Sequence, residues 1–171
     1  MPHDASTTTA SIAVLTVSDT RSIEEDQSGE RIIAMLTDAG HSVSKREIVK
    51  DDVATIQSLM TAWIDCDDVE VIIVSGGTGP SVRDITPDAI VPMFTSVMPG
   101  FGELFRQLSY QEIGAASMLS RAEAGWIDVA GVRKPIFLLP GSPRAIHLAL
   151  EALIIPQLGH LLDMCQLEST Q

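Results

Sequence analysis

Apolar runs alternate with segments of helical period along the first half of this chain, and that alternation restricts the fold most. Residues 11–17 (SIAVLTV) form a short apolar run ending at Ser18-Asp19, as a buried strand does. Residues 20–27 are polar and acidic, a loop. Residues 28–39 then carry Ile32, Ile33, Leu36 and Ala39 at helical spacing, with Gly40 as a stop. Residues 42–49 read as a second strand. Residues 53–64 place Val53, Ile56, Leu59, Met60 and Trp63 on one helical face. Residues 71–74 (VIIV) are wholly apolar, which predicts a strand buried on both faces. The βαβαβ order predicts a parallel sheet with helices on both sides and right-handed crossovers.

In the second half, Thr86-Pro87 reads as the N-cap and first residue of a short helix, with Asp88 complementing its dipole. Met98-Pro99-Gly100 reads as a break before a helix over 101–111, whose apolar face carries Phe101, Leu104, Phe105 and Leu108. Residues 123–129 and 135–139 read as two strands around a turn at 130–134, the first a short edge strand. The turn PGSP at 140–143 places Ser142 as the cap of a long helix from Pro143, which Pro156 should bend or divide. No repeat or linker interrupts the 171 residues, which suit one domain. The fold class expected is α/β: a single three-layer α/β/α domain with a mostly parallel sheet over residues 11–166. A polar, flexible tail is expected at 1–10 and a short tail at 167–171.

Charge and composition narrow the partners. Binding to a phosphate backbone leaves a basic footprint, so a net charge of −12 argues against nucleic acid. An aromatic content of 4% argues against base-stacking platforms. An anionic small molecule would instead need a local cluster of cations and backbone N–H groups. No apolar run approaches the roughly 20 residues of a membrane span, and no basic region precedes an apolar one at the N-terminus. Cys66 and Cys165 read as reduced thiols of a cytoplasmic protein. His3, His41, His147 and His160 show no zinc-ligand spacing with them.

In open α/β sheets, ligands bind beyond the carboxyl ends of the strands. Ser18-Asp19, Asp51-Asp52, residues 76–84 and residues 141–143 all follow predicted strands. Gly76-Gly77-Thr78-Gly79 lets the chain turn tightly and can form an anion-binding nest. An ordinary turn accounts for the glycines alone equally well. The loop is no P-loop, since no Gly-Lys-Ser/Thr follows. Nor is it the dinucleotide fingerprint, because Val82 stands where the last glycine belongs. Arg83 can pair with a phosphate, and Asp84 can hold Mg²⁺ together with substrate phosphates and water. A surface ion pair between the two is the plainer alternative. Asp52 immediately precedes a helix and reads as its N-cap, leaving Asp51 freer to face a cleft. Arg121, Arg133, Lys134 and Arg144 are cations near strand ends or turns. Their sum can offset the negative field around a polyanion.

Five stretches carry a family resemblance: TVSDTR at 16–21, VSGGTGPSVRDITPDA at 74–89, MPGFGELFRQLS at 98–109, LSRAEAG at 119–125 and LPGSPRAI at 139–146. In this order and spacing the chain resembles the MoaB/Mog family of molybdenum cofactor biosynthesis proteins, and its PGSP ending is closer to the MoaB branch. The resemblance implies a molybdopterin-binding α/β/α fold that assembles as a trimer, or as a hexamer of paired trimers. It implies adenylylation of molybdopterin with Mg²⁺ and ATP, releasing pyrophosphate, and a partner protein that then inserts molybdate. The family's essential carboxylates correspond to Asp51 and Asp84, which would also hold the metal. Gly76, Gly77, Thr78 and Gly79 match the family's phosphate-facing loop. Ser18, Asp19, Ser120, Arg121, Gly141 and Ser142 match positions lining the pterin and nucleotide cleft. Lys50 departs from the proline that the family often has before the acid. Two rival readings are a molybdopterin-binding protein without chemistry and a CinA-like nucleotide pyrophosphate hydrolase.

Overall fold

The computed structural model describes residues 7–166. A six-stranded sheet runs in the order β2-β1-β3-β6-β5-β4. Its strands are β1 (Ser11–Val17), β2 (Ser42–Val49), β3 (Val71–Ser75), β4 (Ser96–Val97), β5 (Glu123–Val129) and β6 (Val132–Leu139). The β2, β1, β3 and β6 strands are mutually parallel, while β5 runs antiparallel to β6 and β4 antiparallel to β5. The helices are α1 (Gln27–Asp38), α2 (Val53–Ile64), α3 (Thr86–Ile90), α4 (Pro99–Ile113), α5 (Pro143–Ala149) and α6 (Ile155–Gln166).

The period of two along β1 separates the layers. Ile12 and Val14 join Ile32 and Leu36 of α1, Phe101 and Phe105 of α4, and Ile146 of α5 in one core cluster. Ala13 and Leu15 face the other way, toward Ile56, Met60 and Trp63 of α2 and Ile90 of α3. Successive strand residues point to opposite faces, so a strand buried on both faces needs a helical layer on each side. This is the expected three-layer α/β/α arrangement.

Several local expectations are corrected. The β5 strand lies inside the sheet, and the edge belongs to the two-residue β4, too short to show a periodicity. The β5–β6 turn needs only Ala130 and Gly131, at φ 50° and 81°, because two positive φ values make a tight hairpin matched to strand twist. Pro99 and Gly100 open α4 and do not break the chain, since proline fits a first helical turn. Leu104 lies off the buried face of that helix and is 49% exposed. The N-cap of α3 is Ile85, not Thr86; the Thr86 hydroxyl donates instead to the Gly76 carbonyl at 2.8 Å. Residues 20–27 are not all loop: a single 3₁₀ turn at Ile23–Glu25 precedes Asp26, the cap of α1.

Asp52 caps α2 as expected, accepting from the Thr55 N–H at 3.0 Å. Ser142 caps α5. The division expected near Pro156 takes the form of a π-helical turn at Leu150–Ile154, before α6. Of the expected N-terminal tail, residues 1–6 lie outside the described residues, as do residues 167–171. Ala10 is packed, however, and its N–H donates to His41 Nδ1 at 3.1 Å.

The helical run Pro143–Cys165 spans 23 residues and is long and apolar enough, by length and composition, to cross a membrane. That corrects the reading that no segment reaches this length. The run was hidden because Arg144, His147 and Glu151 interrupt it. Its face carrying Ile146, Leu150, Ile154, Leu158 and Leu162 packs into the core, as in a core helix.

Candidate active site

The strand order reverses around β1, with β2 on one side and β3 on the other. Such switch points leave a crevice at the carboxyl ends of the strands. A cleft of about 610 Å³ opens there. Nine of the predicted residues line it: Ser18, Gly76, Gly77, Thr78, Gly79, Asp84, Ser120, Gly141 and Ser142. Asp19, Asp51, Arg83 and Arg121 do not. Three strand ends supply this wall, and the fourth predicted segment, Asp51-Asp52, stands beside it.

Two glycines make the approach of the acids possible. Gly77 has φ 66°, and a Cβ there would collide with Thr86 Oγ1 and lie 3.1 Å from Asp51 Oδ1. A Cβ on Gly79 would lie 2.7 Å from Asp84 Oδ2. The glycine turn is thus a thin wall with Asp51 against one residue and Asp84 against another. Asp84 Oδ2 also accepts the Ser81 N–H at 2.9 Å, which fixes the carboxylate within its own turn. The Asp51 N–H donates to Asp19 Oδ1 at 3.2 Å, drawing the β1 and β2 ends together.

The pKa of Asp51 is raised from its ordinary value. Partial burial is the largest cause, followed by the charges of Asp19 and Asp84. Its own backbone hydrogen bond and Arg83 act the other way. Burial and the two neighbouring carboxylates both disfavour the ionised form of Asp51, and a bound cation would favour it. Among the described residues, no group of three or more His, Cys, Asp or Glu side chains is arranged to hold a metal by itself. Magnesium ordinarily takes only one or two carboxylates and completes its octahedron with phosphate oxygens and water. Asp51 and Asp84 fit that partial role.

The cations divide differently from expectation. Arg121 does not face the cleft: Nε donates to the Gly79 carbonyl at 3.0 Å, Nη2 to the Asp84 carbonyl, and Nη1 to the Asp88 carboxylate at 2.9 Å. It also donates its backbone N–H to the Thr78 carbonyl at 2.8 Å. Five donors in a rigid fork suit the bracing of a loop. Arg83 is exposed beside the turn. Arg133 pairs with Asp128 at 2.7 Å and lies over Trp126, and Lys134 is buried with its ammonium on the Cys66 carbonyl at 2.7 Å. Both sit at the start of β6, the opposite end of that strand from the cleft. Arg144 pairs with Glu112 at 2.7 Å.

Sequence reasoning missed several cleft residues: Thr16, Thr20 and Arg21 around the end of β1, and Phe105, Ser109 and Ile113 of α4 with Leu119 after it. Arg21 lay within the quoted TVSDTR motif, so a signal for it existed. The α4 residues follow from how that helix packs across the sheet, which no local pattern shows.

A family model described as a probable molybdopterin binding domain matches residues 13–160. The chain belongs to this family. Within it, Molybdenum cofactor biosynthesis protein B of Bacillus subtilis (strain 168) is 46% identical over 149 residues, covering 86% of this chain and 85% of that relative. A crystal structure of Molybdenum cofactor biosynthesis protein B matches with a TM-score of 0.86 at 42% identity, over 92% of this chain and 96% of that one. The tungsten cofactor synthesizing protein MoaB from Pyrococcus furiosus matches with a TM-score of 0.83 at 35% identity, over 92% of this chain and 97% of that one. The expected place in the MoaB/Mog family, on the MoaB side, is borne out.

Proposed function

We propose that this chain acts in molybdenum cofactor biosynthesis, transferring the adenylyl group of ATP to the phosphate of molybdopterin. A pterin phosphate oxygen bonds to the α-phosphorus of ATP. The bond between the α-phosphorus and the bridging oxygen breaks, and pyrophosphate leaves with the electron pair. The observation that carries this reading is the placement of Asp51 and Asp84 against a glycine turn that lines a large cleft.

No protein nucleophile is required, so the work of the chain is positioning and charge neutralisation. The glycine turn brings backbone close to the phosphates without a Cβ in the way. Asp51 and Asp84 would hold Mg²⁺, which when bound neutralises charge on the phosphates and the departing pyrophosphate. Arg121 keeps the turn and Asp84 in register. Phe105, Ile113 and Leu119 give the cleft an apolar wall suited to a pterin ring.

The same reading includes a homo-oligomer. Its support is an apolar groove of about 520 Å³ between α4 and α6, where Leu104 and Met164 stay 49% and 55% exposed. A molybdate-inserting partner would take the adenylylated product. Mass spectrometry after incubation with molybdopterin, ATP and Mg²⁺ tests the reaction. An adenylylated pterin is expected. Unmodified pterin retained by the protein would reduce the reading to a binding protein.

A further inference from the structure

Four of the eight arginine side chains of this acidic chain pair with a carboxylate. Arg46 pairs with Asp26, Arg121 with Asp88, Arg133 with Asp128 and Arg144 with Glu112. Arg21 differs. It lines the cleft, and its guanidinium has one protein acceptor among the described residues, Ser28 Oγ, 3.0 Å from Nη1. No carboxylate among the described residues lies within ion-pair distance of it. With 23 acidic residues in the chain, this is a notable place to leave a cation without one.

The Arg21 head group is also aimed. Ser28 is buried, and its hydroxyl donates to the Gly141 carbonyl at 2.8 Å, so toward Arg21 the oxygen acts as acceptor. That hydroxyl ties α1 to the PGSP turn on the cleft wall. At the other end of the residue, the Arg21 N–H donates to Ser18 Oγ at 3.3 Å. Backbone and guanidinium are therefore both held, while most of the five N–H donors have no acceptor among the described residues. A planar fork of free donors matches two oxygens of a phosphate. Asp84 lines the same cleft, so the cleft carries a cation from the end of β1 and a carboxylate from the glycine turn.

We propose that Arg21 binds a phosphate group of the ligand in this cleft. The inference rests on the phosphate-ligand reading above and not on the transfer step. The phosphate belongs either to the pterin or to the nucleotide, and the test separates the two. Wild type, Arg21→Ala and Arg21→Lys are titrated with molybdopterin, with enzymatically dephosphorylated molybdopterin, and with ATP. Arg21→Ala should bind one phosphorylated probe about 10–100-fold more weakly, the loss expected for a charge-assisted hydrogen bond. Arg21→Lys should recover part of that loss. Dephosphorylated pterin should bind wild type and Arg21→Ala alike. A loss in the pterin titration alone assigns the phosphate to the pterin, and a loss with ATP alone assigns it to the nucleotide. Equal affinity of wild type and Arg21→Ala for both phosphorylated probes would overturn the proposal and leave the proposed function standing. Failure of wild type to bind either probe would overturn both.

Discussion

The Arg121 guanidinium reaches the backbone carbonyls of both Gly79 and Asp84, bridging the two ends of the turn that carries the candidate catalytic acid. A single side chain thereby sets the distance between the glycine wall and Asp84. Asp88 holds the third corner of the fork from the first turn of α3.

Arg121→Lys should separate positioning from binding. A lysine keeps the charge but cannot span Gly79, Asp84 and Asp88 together. Misplacement of reacting groups by about 1 Å typically costs on the order of 10²-fold in rate, and a kcat loss of that size is expected with little change in pterin affinity. Steady-state kinetics beside a pterin titration check it. An equal loss in affinity would return Arg121 to direct ligand contact.

Asp51 should make the fold pH-sensitive. Its folded pKa is raised, so ionising it costs more in the folded than in the unfolded chain. Its contribution to stability is full below the unfolded carboxylate pKa and is lost as pH rises through the folded one. Asp51→Asn should therefore raise Tm at neutral pH, and the gain should shrink on acidification through the carboxylate range. Added Mg²⁺ should raise Tm more in wild type than in the variant. A gain independent of pH would assign the effect to packing.

Leu104→Glu tests self-association. Half of this side chain is exposed at the groove between α4 and α6. Light scattering after size exclusion should give a multiple of the 18.3 kDa chain mass for wild type and a smaller species for the variant. A monomeric wild type would remove the oligomer from the account.

Much of this was legible in the sequence because it is local. The bounds of β1, β2, α2 and β5 follow from runs and periods contained within each segment. The cleft loops follow from the rule that ligands sit beyond strand ends. What escaped depends on contacts across the chain. Arg121 has the composition of a ligand-binding cation, and only its distance from Gly79 reveals a brace. Thr86 has the composition of a cap, but the buried carbonyl of Gly76 claims its hydroxyl. The neighbours of β5 are set by β4, a strand of two residues with no pattern to read.

Pyrophosphate release tests the central claim most directly. It would be measured with ATP and Mg²⁺, with and without molybdopterin, for wild type beside Asp84→Asn. The account predicts release by wild type that requires the pterin, and its loss in Asp84→Asn with pterin binding retained. Equal release by Asp84→Asn, or none by wild type that nevertheless binds the pterin, would contradict it.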